Sequence, residues 1–397
     1  MLTITNYLDV ARRSTSPDAV RASTPSRYGA GARPPVVVWN LTRRCNQRCA
    51  HCYASATFDC SPAELDTATS RRVLHELAEA GVPVVIFSGG EPLLRKDLLE
   101  LVQLATDLGV RPQLSSNGTL ANEEVMAPLK AAGVGYYGVS IDGPAFFNDS
   151  FRGMYKGYER AKKGLIAAAG VGLRTGLRMT VTRHNAGDVA EMAALAEEVG
   201  AARFYVSHLV EVGRGVEVDA CSPARTRELL FELFDLAAEH LDRESPIGFV
   251  TGGNDSAGPL FLAWLAQREG VAAAERVRAL LAARGGNTSG VGLLCIDSEG
   301  TVHPDQFWRS ESLGNLREQS FAEILEHPMR ARLARRTSWL TGRCADCRHL
   351  ALCGGGHRER ALERFGDVAA ADPSCVLTDG EVGCSTLAAP VAPGVAS

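Results

Sequence analysis

A regular alternation of apolar runs with segments of helical periodicity, beginning at residue 36, most constrains how this chain folds. The apolar runs are short enough to be buried strands, and the segments between them are long enough for helices. The predicted strands are residues 36–41, 82–87, 111–115, 136–141, 175–182 and 202–207, and the predicted helices are 64–80, 96–108, 123–132, 158–168 and 189–198. Six β–α units predict an α/β fold in which a parallel sheet curves into a partial (βα)6 barrel of the TIM type.

Three cysteines, Cys45, Cys49 and Cys52, follow the first predicted strand. A single loop can fold this spacing around one metal centre. Three thiolates are one short of the four that normally hold an iron–sulfur cube, so one iron would stay open to a small molecule. Zinc is the alternative, but structural zinc sites usually have four ligands in CxxC-type pairs.

Small polar residues and glycines follow the next three strands. In barrels of this type the chemistry takes place at the carboxyl ends of the strands, where the cysteine loop also lies. Strand two runs into a glycine-rich turn that ends in a carboxylate, Gly89-Gly90-Glu91-Pro92. The polar candidates at the ends of strands three and four and in the loop beyond are Ser116, Asn117, Ser140, Asp142 and Arg152. Ordinary turn chemistry is the alternative for each of them, and a solvated side chain is the alternative for Arg152.

A second group of cysteines lies near the C-terminus, with the spacing Cys344-x2-Cys347-x5-Cys353 followed by Cys375. Four thiolates can close a [4Fe–4S] cluster completely. Zinc is again the alternative, because CxxC pairs also suit that ion. Before this group, residues 291–296 and 300–303 are predicted to form a β-hairpin.

The first cysteine group with Tyr53, and the glycine-rich turn, resemble the CxxxCxxC-aromatic and GGEP signatures of radical S-adenosylmethionine (SAM) enzymes. The second group resembles the SPASM extension of such enzymes. The resemblance implies two [4Fe–4S] clusters, one at each cysteine group. It also implies a SAM site formed by Tyr53, Gly89, Gly90, Glu91, Pro92, Ser116, Asn117, Ser140, Asp142 and Arg152.

The chain departs from the full SPASM pattern, which carries two auxiliary clusters. His357 stands where a further cysteine is expected, and Asp305 stands where the partner of Cys295 is expected. We therefore expect one auxiliary cluster, in a small C-terminal iron–sulfur domain of the SPASM or twitch type.

Residues 205–210, 213–215, 251–255 and 303–308 resemble the NirJ family of haem d1 biosynthesis, and the likeness extends over about residues 36–384. The resemblance implies an iron-containing tetrapyrrole substrate, 12,18-didecarboxysiroheme. Two of its propionate arms would be replaced by oxo groups to give a haem d1 precursor. His208, Arg178 and Arg214, at or just after strands five and six, are the candidate substrate contacts.

Three other functions stay open. A related tetrapyrrole side-chain decarboxylase of alternative haem synthesis shares the cysteine layout. A SPASM peptide maturase is disfavoured, because residues 1–35 look too short for the peptide-recognition domain such enzymes often carry. A non-enzymatic electron-transfer or scaffold protein would need neither an open iron nor the GGEP turn.

Composition sets the remaining expectations. At 397 residues, more than one domain is expected, and we divide the chain into an N-terminal extension (1–35), the barrel (36–215), a helical bridging region (216–290) and the auxiliary-cluster domain with its tail (291–397). The net charge of −4 argues against a nucleic-acid partner. No apolar run is long enough to span a membrane, and the N-terminus lacks a signal pattern, so a cytoplasmic protein is expected. The radical SAM resemblance implies a reductant such as ferredoxin or flavodoxin.

Overall fold

A computed structural model describes residues 1–13 and 34–383 of the chain. The tail, and most of the extension predicted for residues 1–35, lie outside the described residues. The strands are β1 (Leu2–Thr3), β2 (Val36–Asn40), β3 (Val84–Ser88), β4 (Arg111–Ser116), β5 (Tyr137–Ser140), β6 (Thr175–Val181), β7 (Arg203–His208), β8 (Gly248–Gly252), β9 (Leu293–Ile296), β10 (Thr301–His303) and β11 (Gly314–Asn315).

Helices connect most of these strands. They are α1 (Ile4–Arg12), α2 (Thr67–Glu79), α3 (Leu98–Asp107), α4 (Glu123–Ala131), α5 (Ala145–Arg152), α6 (Gly157–Gly170), α7 (Val189–Glu198), α8 (Pro223–Asp242), α9 (Ala257–Arg268), α10 (Val271–Arg284), α11 (Phe321–Leu325), α12 (Pro328–Ala334), α13 (Leu350–Cys353), α14 (Arg358–Phe365) and α15 (Asp379–Val382). Short 3-10 turns occur at Pro92–Leu94 and Gly213–Glu217. None of the helices in the described ranges is long and apolar enough to cross a membrane.

The described strands form one open sheet in the order β1-β8-β7-β6-β5-β4-β3-β2-β9-β10-β11. Strands β2 to β8 run parallel to one another, and β9 runs parallel to β2. The predicted α/β fold is therefore confirmed, with the six predicted strands within two residues of their expected bounds. Because the sheet continues through β8 and β9, it crosses the domain boundaries placed at residues 215 and 290, and that division stays a prediction.

Two elements were not expected from the sequence. Residues 248–252 form the parallel strand β8 beside β7, in a region where the sequence predicts no strand. A strand of five residues with a glycine at each end gives little periodicity, so pairing with β7 decides its conformation. Arg152 is the last residue of helix α5, not part of a loop, and Gly153 ends that helix in the left-handed conformation.

The two faces of the parallel sheet differ in polarity. On one face, Trp39, Phe87, Val139, Met179 and Phe204 are fully buried in the core shared with the helices. The opposite face, here called the inner face, carries side chains that alternate with these and are less buried: Ser115, Ser140, Arg178, Thr180, Tyr205 and Ser207. Since successive side chains of a strand point to opposite sides, this alternation lines the inner face with polar groups.

The N-terminal segment closes one edge of the sheet. Strand β1 pairs antiparallel with β8, and α1 buries Ile4, Tyr7 and Leu8 in the core. Covering an otherwise unpaired strand in this way removes an exposed edge.

Candidate active site

The cysteine loop, residues 41–66, leaves the carboxyl end of β2 and holds its thiols against backbone amides. The amide of Gln47 donates to Cys45 Sγ and the amide of Ala56 donates to Cys52 Sγ, each at 3.4 Å. Amide hydrogen bonds to the sulfurs are a feature that tunes iron–sulfur sites. Burial raises the pKa of Cys45 to about 11 and that of Cys49 to about 12. Metal binding at these thiols must therefore displace protons.

The glycine-rich turn after β3 packs directly on the start of this loop. The amides of Gly90 and Glu91 donate to the carbonyl oxygens of Thr42 and Arg44, at 2.7 and 2.8 Å. A Cβ at Gly90 would lie 2.2 Å from Arg44 O, and Gly89 has a φ of +134°. Neither position tolerates a side chain without moving the cysteine loop.

The Glu91 carboxylate is buried where β3 and β4 end. It accepts hydrogen bonds from the amide of Leu93 (3.0 Å), the amide of Asn117 (2.8 Å) and the hydroxyl of Ser116 (2.9 Å). Burial raises the pKa of Glu91 to about 7, although these donors oppose the shift. Pro92, which is also buried, begins the short 3-10 turn after it.

Asn117 links the SAM-site candidates to the cysteine loop. Its Nδ2 donates to Asn46 Oδ1 at 2.7 Å and lies 3.8 Å from Cys45 Sγ. Sequence reasoning did not single out Asn46. The available signal was the side-chain amide of Asn46 directly after Cys45, but this signal does not indicate which residue the amide contacts.

Asp142 and Arg152 form a buried ion pair beneath the cysteine loop, so the solvated alternative for Arg152 is wrong. Arg152 Nη2 lies 2.7 Å from Asp142 Oδ2, and Arg152 Nη1 lies 3.8 Å from Cys49 Sγ. His51 Nε2 lies 3.4 Å from the same carboxylate oxygen. Burial lowers the pKa of His51 to about 4, so its imidazole is neutral at pH 7. The guanidinium thus carries the positive charge next to the Cys49 thiol.

Tyr53 and Ser140 complete the predicted set. Tyr53 OH donates to Asn40 Oδ1 at 2.9 Å, and Asn40 Nδ2 lies 3.7 Å from Cys295 Sγ. Ser140 ends β5 and is half-buried on the inner face, beside Arg178 of β6.

The second cysteine group also converges. Cys344, Cys347, Cys353 and Cys375 line a single cavity, together with Asn254 and Asp372. The amides of His349 and Gly355 donate to Cys347 Sγ and Cys353 Sγ, each at 3.4 Å. The fold therefore brings together four thiols that are up to thirty-one positions apart in the chain.

Comparison with known proteins identifies the family. Residues 39–196 match the sequence profile of the Radical SAM superfamily, and residues 289–348 match that of SPASM, an iron-sulfur cluster-binding domain. The chain is 41% identical over 374 residues to the pre-heme d1 synthase of Dinoroseobacter shibae, with 93% of each chain covered. The chain belongs to the radical SAM superfamily.

Two further comparisons agree with this membership. The radical SAM chain is 39% identical to the Fe-coproporphyrin III synthase of Methanosarcina barkeri, over 88% of this chain and 90% of that protein. Its fold matches Streptococcus suis SuiB bound to S-adenosylmethionine with a TM-score of 0.66 at 19% identity, covering 87% of this chain and 77% of SuiB.

The donor sets fit the cofactors of a radical SAM enzyme with a SPASM domain, which are two [4Fe–4S] clusters and SAM. Three thiols in one loop, two of which accept amide hydrogen bonds, suit a cluster with one open iron. The four thiols around the second cavity suit a fully ligated cluster. The ligand set of each cluster, and the residues that hold SAM, are part of the proposal below.

Of the three predicted substrate contacts, Arg178 lies on the inner face of the radical SAM sheet. Its Nη1 donates to Ser115 Oγ at 2.6 Å, and its guanidinium lies 5.9 Å from the centre of the Tyr136 ring. A Cβ at Gly138 would lie 2.5 Å from Arg178 Nε, so this glycine makes room for the arginine.

His208 ends β7 on the same side as Phe204 and Val206, which pack in the core. Burial, with Arg360 nearby, lowers the pKa of His208 to about 4. Its Nε2 is buried and has no hydrogen-bond partner among the described residues. A neutral imidazole with a free nitrogen is available to a ligand, once one reaches it.

Arg214 makes its hydrogen bonds to the cysteine loop. Its Nε donates to Cys49 O and its Nη1 to Ala56 O, each at 2.9 Å. The side chain therefore ties together two points in the middle of that loop. The preceding residue, Gly213, packs so closely that a Cβ there would lie 2.5 Å from Tyr53 O.

The two residues that replace SPASM cysteines lie close together. His357 Nδ1 is 3.9 Å from Asp305 Oδ2, and His357 Nε2 is 3.9 Å from Asp255 Oδ2. Asp305 also accepts hydrogen bonds from the amides of Phe307 and Trp308, at 2.7 and 2.9 Å. A buried polar cluster thus occupies this part of the domain.

Proposed function

We propose that this radical SAM enzyme is a pre-haem d1 synthase. It would remove two propionate side chains of 12,18-didecarboxysiroheme and introduce oxo groups in their place. The observation that carries the proposal is the 41% identity to the pre-heme d1 synthase of Dinoroseobacter shibae across 93% of both chains. This identity extends over nearly the whole chain, so it includes the residues around the substrate as well as those around the cofactors. It therefore supports a common substrate class.

We propose that Cys45, Cys49 and Cys52 hold the cluster that contacts SAM. The auxiliary cluster would be held by Cys344, Cys347, Cys353 and Cys375. A cluster held by Cys45, Cys49 and Cys52 would supply the electron for reductive cleavage of SAM, and with it the radical chemistry at a substrate carbon. Around it, the Asp142–Arg152 pair places one buried positive charge beside Cys49.

We propose that SAM lies between the glycine-rich turn and the ends of β4 and β5. Glu91 would accept from the SAM ammonium, and Tyr53, Ser116, Asn117 and Ser140 would line the site. Gly89 and Gly90 act indirectly in this arrangement, by setting the distance between the turn and the cysteine loop.

The inner face of the sheet offers polar contacts for a tetrapyrrole with several carboxylates. Arg178 makes no salt bridge with any described residue, so its charge is free for a substrate carboxylate. His208 lies on the opposite side of the sheet from Arg178, at the end of β7, and would bind the substrate iron there through its free nitrogen. Its burial requires that the substrate displace the side chains that cover it.

A tetrapyrrole decarboxylase of alternative haem synthesis is the second candidate function. The 39% identity to the Fe-coproporphyrin III synthase of Methanosarcina barkeri favours it. The two functions differ in their products, since one replaces propionate arms with oxo groups and the other is a decarboxylation.

We further propose that the enzyme works in the cytoplasm with a low-potential reductant such as ferredoxin or flavodoxin. The cysteine usage supports this location, because a reducing compartment keeps cluster thiols out of disulfides.

Anaerobic reconstitution tests the proposal. The enzyme is supplied with iron, sulfide, SAM and reductant, and then with 12,18-didecarboxysiroheme, and the products are followed by mass spectrometry beside a standard of Fe-coproporphyrin III. We expect a product with the mass change of two propionate arms replaced by oxo groups. Formation of Fe-coproporphyrin III instead would support the second candidate, and no turnover at all would contradict both.

A further inference from the structure

The cysteine loop reaches the protein surface beside the C-terminal end of α5. Arg48 and Ala50, the two neighbours of Cys49, are exposed. Their amides donate to the carbonyl oxygens of Arg152 and Phe151, at 3.1 and 2.8 Å. A proposed ligand of the SAM-cleaving cluster is therefore only one residue away from solvent at this point.

An unusually exposed aromatic residue borders the same place. Tyr155, just after α5, is 81% exposed, one of the two largest values among the large apolar side chains of the described residues. Met154 Sδ lies 3.8 Å from Gln47 Nε2, so the segment that carries Tyr155 runs beside the cysteine loop. A Cβ at Gly153 would lie 3.0 Å from Arg48 O, which fixes the end of α5 against that loop. Exposed apolar surface that is rimmed by polar groups marks interaction sites.

Positive charge lies next to this aromatic residue. Lys156, Arg160 and Lys163 are exposed; Lys156 directly precedes α6, and Arg160 and Lys163 lie three positions apart in its first two turns. Lys156 Nζ lies 5.4 Å from the centre of the Tyr155 ring. None of the three forms a salt bridge with another residue in the described part of the chain. The patch is cationic although the whole chain carries a net charge of −4.

We propose that this face, formed by Arg48, Tyr155, Lys156 and Arg160 and here called the electron-entry face, docks a small acidic one-electron carrier protein. One electron would pass from the reduced carrier to the cluster at Cys49, so the carrier is oxidised by one electron and the cluster is reduced by one. The proposal rests on the protein reductant proposed above. It does not depend on which tetrapyrrole is the substrate.

Charge and exposure together support this occupant. A cationic rim steers an acidic partner and makes association sensitive to salt, while the exposed ring of Tyr155 supplies apolar contact area. The buried ion pair of Arg152 with Asp142, at 2.7 Å, lies directly behind this face and keeps the loop in place when a partner binds.

Binding of an acidic flavodoxin to the reconstituted full-length enzyme tests the proposal. Isothermal titration calorimetry at low ionic strength compares the wild type with the double variant Lys156→Glu/Arg160→Glu. The matched control is Arg111→Glu/Arg174→Glu, which reverses two exposed arginines at the amino-terminal ends of β4 and β6. We expect the first double variant to bind about tenfold or more weakly, the control to bind like the wild type, and Tyr155→Ala to weaken binding as well.

A second measurement separates docking from damage to the cluster. Formation of 5′-deoxyadenosine without tetrapyrrole is followed with reduced flavodoxin and, separately, with dithionite. We expect Lys156→Glu/Arg160→Glu to slow the flavodoxin reaction and to leave the dithionite reaction unchanged. Absence of wild-type binding at low salt, equal losses in both double variants, or an equal loss with dithionite would each overturn the proposal.

Discussion

Glu91 is fully buried, and its proposed role in binding the SAM ammonium requires negative charge. Burial raises the pKa of its carboxyl to about 7, from an ordinary value of 4.5. Between about pH 4.5 and 7, the folded protein therefore holds a proton that the unfolded chain has released. The Glu91 carboxyl consequently lowers the free energy of unfolding as pH rises through this range. A bound ammonium reverses that balance, because it stabilises the charged form.

We expect SAM binding to strengthen as pH rises through 7, because Glu91 gains its charge there. In Glu91→Gln the affinity for SAM should fall by about tenfold or more at pH 8 and lose its pH dependence, while both clusters stay intact. Equilibrium dialysis of SAM between pH 6 and 8 measures both effects. The exposed Glu124→Gln is the control. Wild-type affinity in Glu91→Gln would refute the proposed contact.

His208 has the free imidazole nitrogen that the proposed substrate iron requires. We expect His208→Ala to keep both clusters and to cleave SAM without substrate, because the side chain lies outside the cysteine loop. It should lose the absorbance shift that accompanies tetrapyrrole titration. His184→Ala removes an exposed histidine and should leave that shift unchanged. Normal substrate affinity in His208→Ala would remove this residue from the site.

At the scale of elements, the cysteine loop is held from three sides. The turn at Gly90 binds its start, the end of α5 binds its middle, and Arg214 bridges Cys49 and Ala56. None of these contacts involves a thiol, so each can stabilise the loop before the cluster is bound.

Arg214→Ala should release the cluster more easily, because it removes two charge-assisted hydrogen bonds worth about 1.5–3 kcal/mol each. We expect iron to be lost to a chelator about tenfold faster or more than from the wild type, with tetrapyrrole affinity unchanged once the cluster is in place. Arg214→Lys, which keeps one donor, should lie between the two. Normal cluster retention together with weakened tetrapyrrole binding would restore Arg214 to the substrate site.

At the scale of the whole molecule, one sheet connects the two cysteine groups. Strand β9 pairs with β2, from whose end the cysteine loop leaves, so the C-terminal part of the chain is anchored beside the first cluster site. The aromatic rings of Tyr53, Phe307 and His357 continue this contact, with centres 5.5 and 5.8 Å apart.

Iron content tests the proposed division into two clusters. We expect about eight iron atoms per chain after anaerobic reconstitution, and about four when Cys45, Cys49 and Cys52 are changed to alanine together. Changing the four C-terminal cysteines should also leave about four. Cys295→Ala should keep all the iron, since this buried thiol contacts Asn40 and lies outside both cysteine groups. Full iron content in the first triple variant would show that its ligands are wrongly assigned.

The sequence by itself determined the fold class and both cysteine groups. The pattern of apolar residues in a segment reflects which of its own side chains are buried. The bounds of strands such as β2 and β6 were therefore predicted to within two residues. The cysteine spacings are local as well, and the radical SAM resemblance they carried is confirmed by family membership.

Only the tertiary structure decided the contacts between distant segments. Strand β8 exists because β7 offers it a partner, and Arg152 is buried because Asp142 lies opposite it. Arg214, a predicted substrate contact, also holds the cysteine loop across more than 150 positions of the chain. Residue type and position along the chain do not encode such pairings, because they depend on how helices and strands pack in three dimensions.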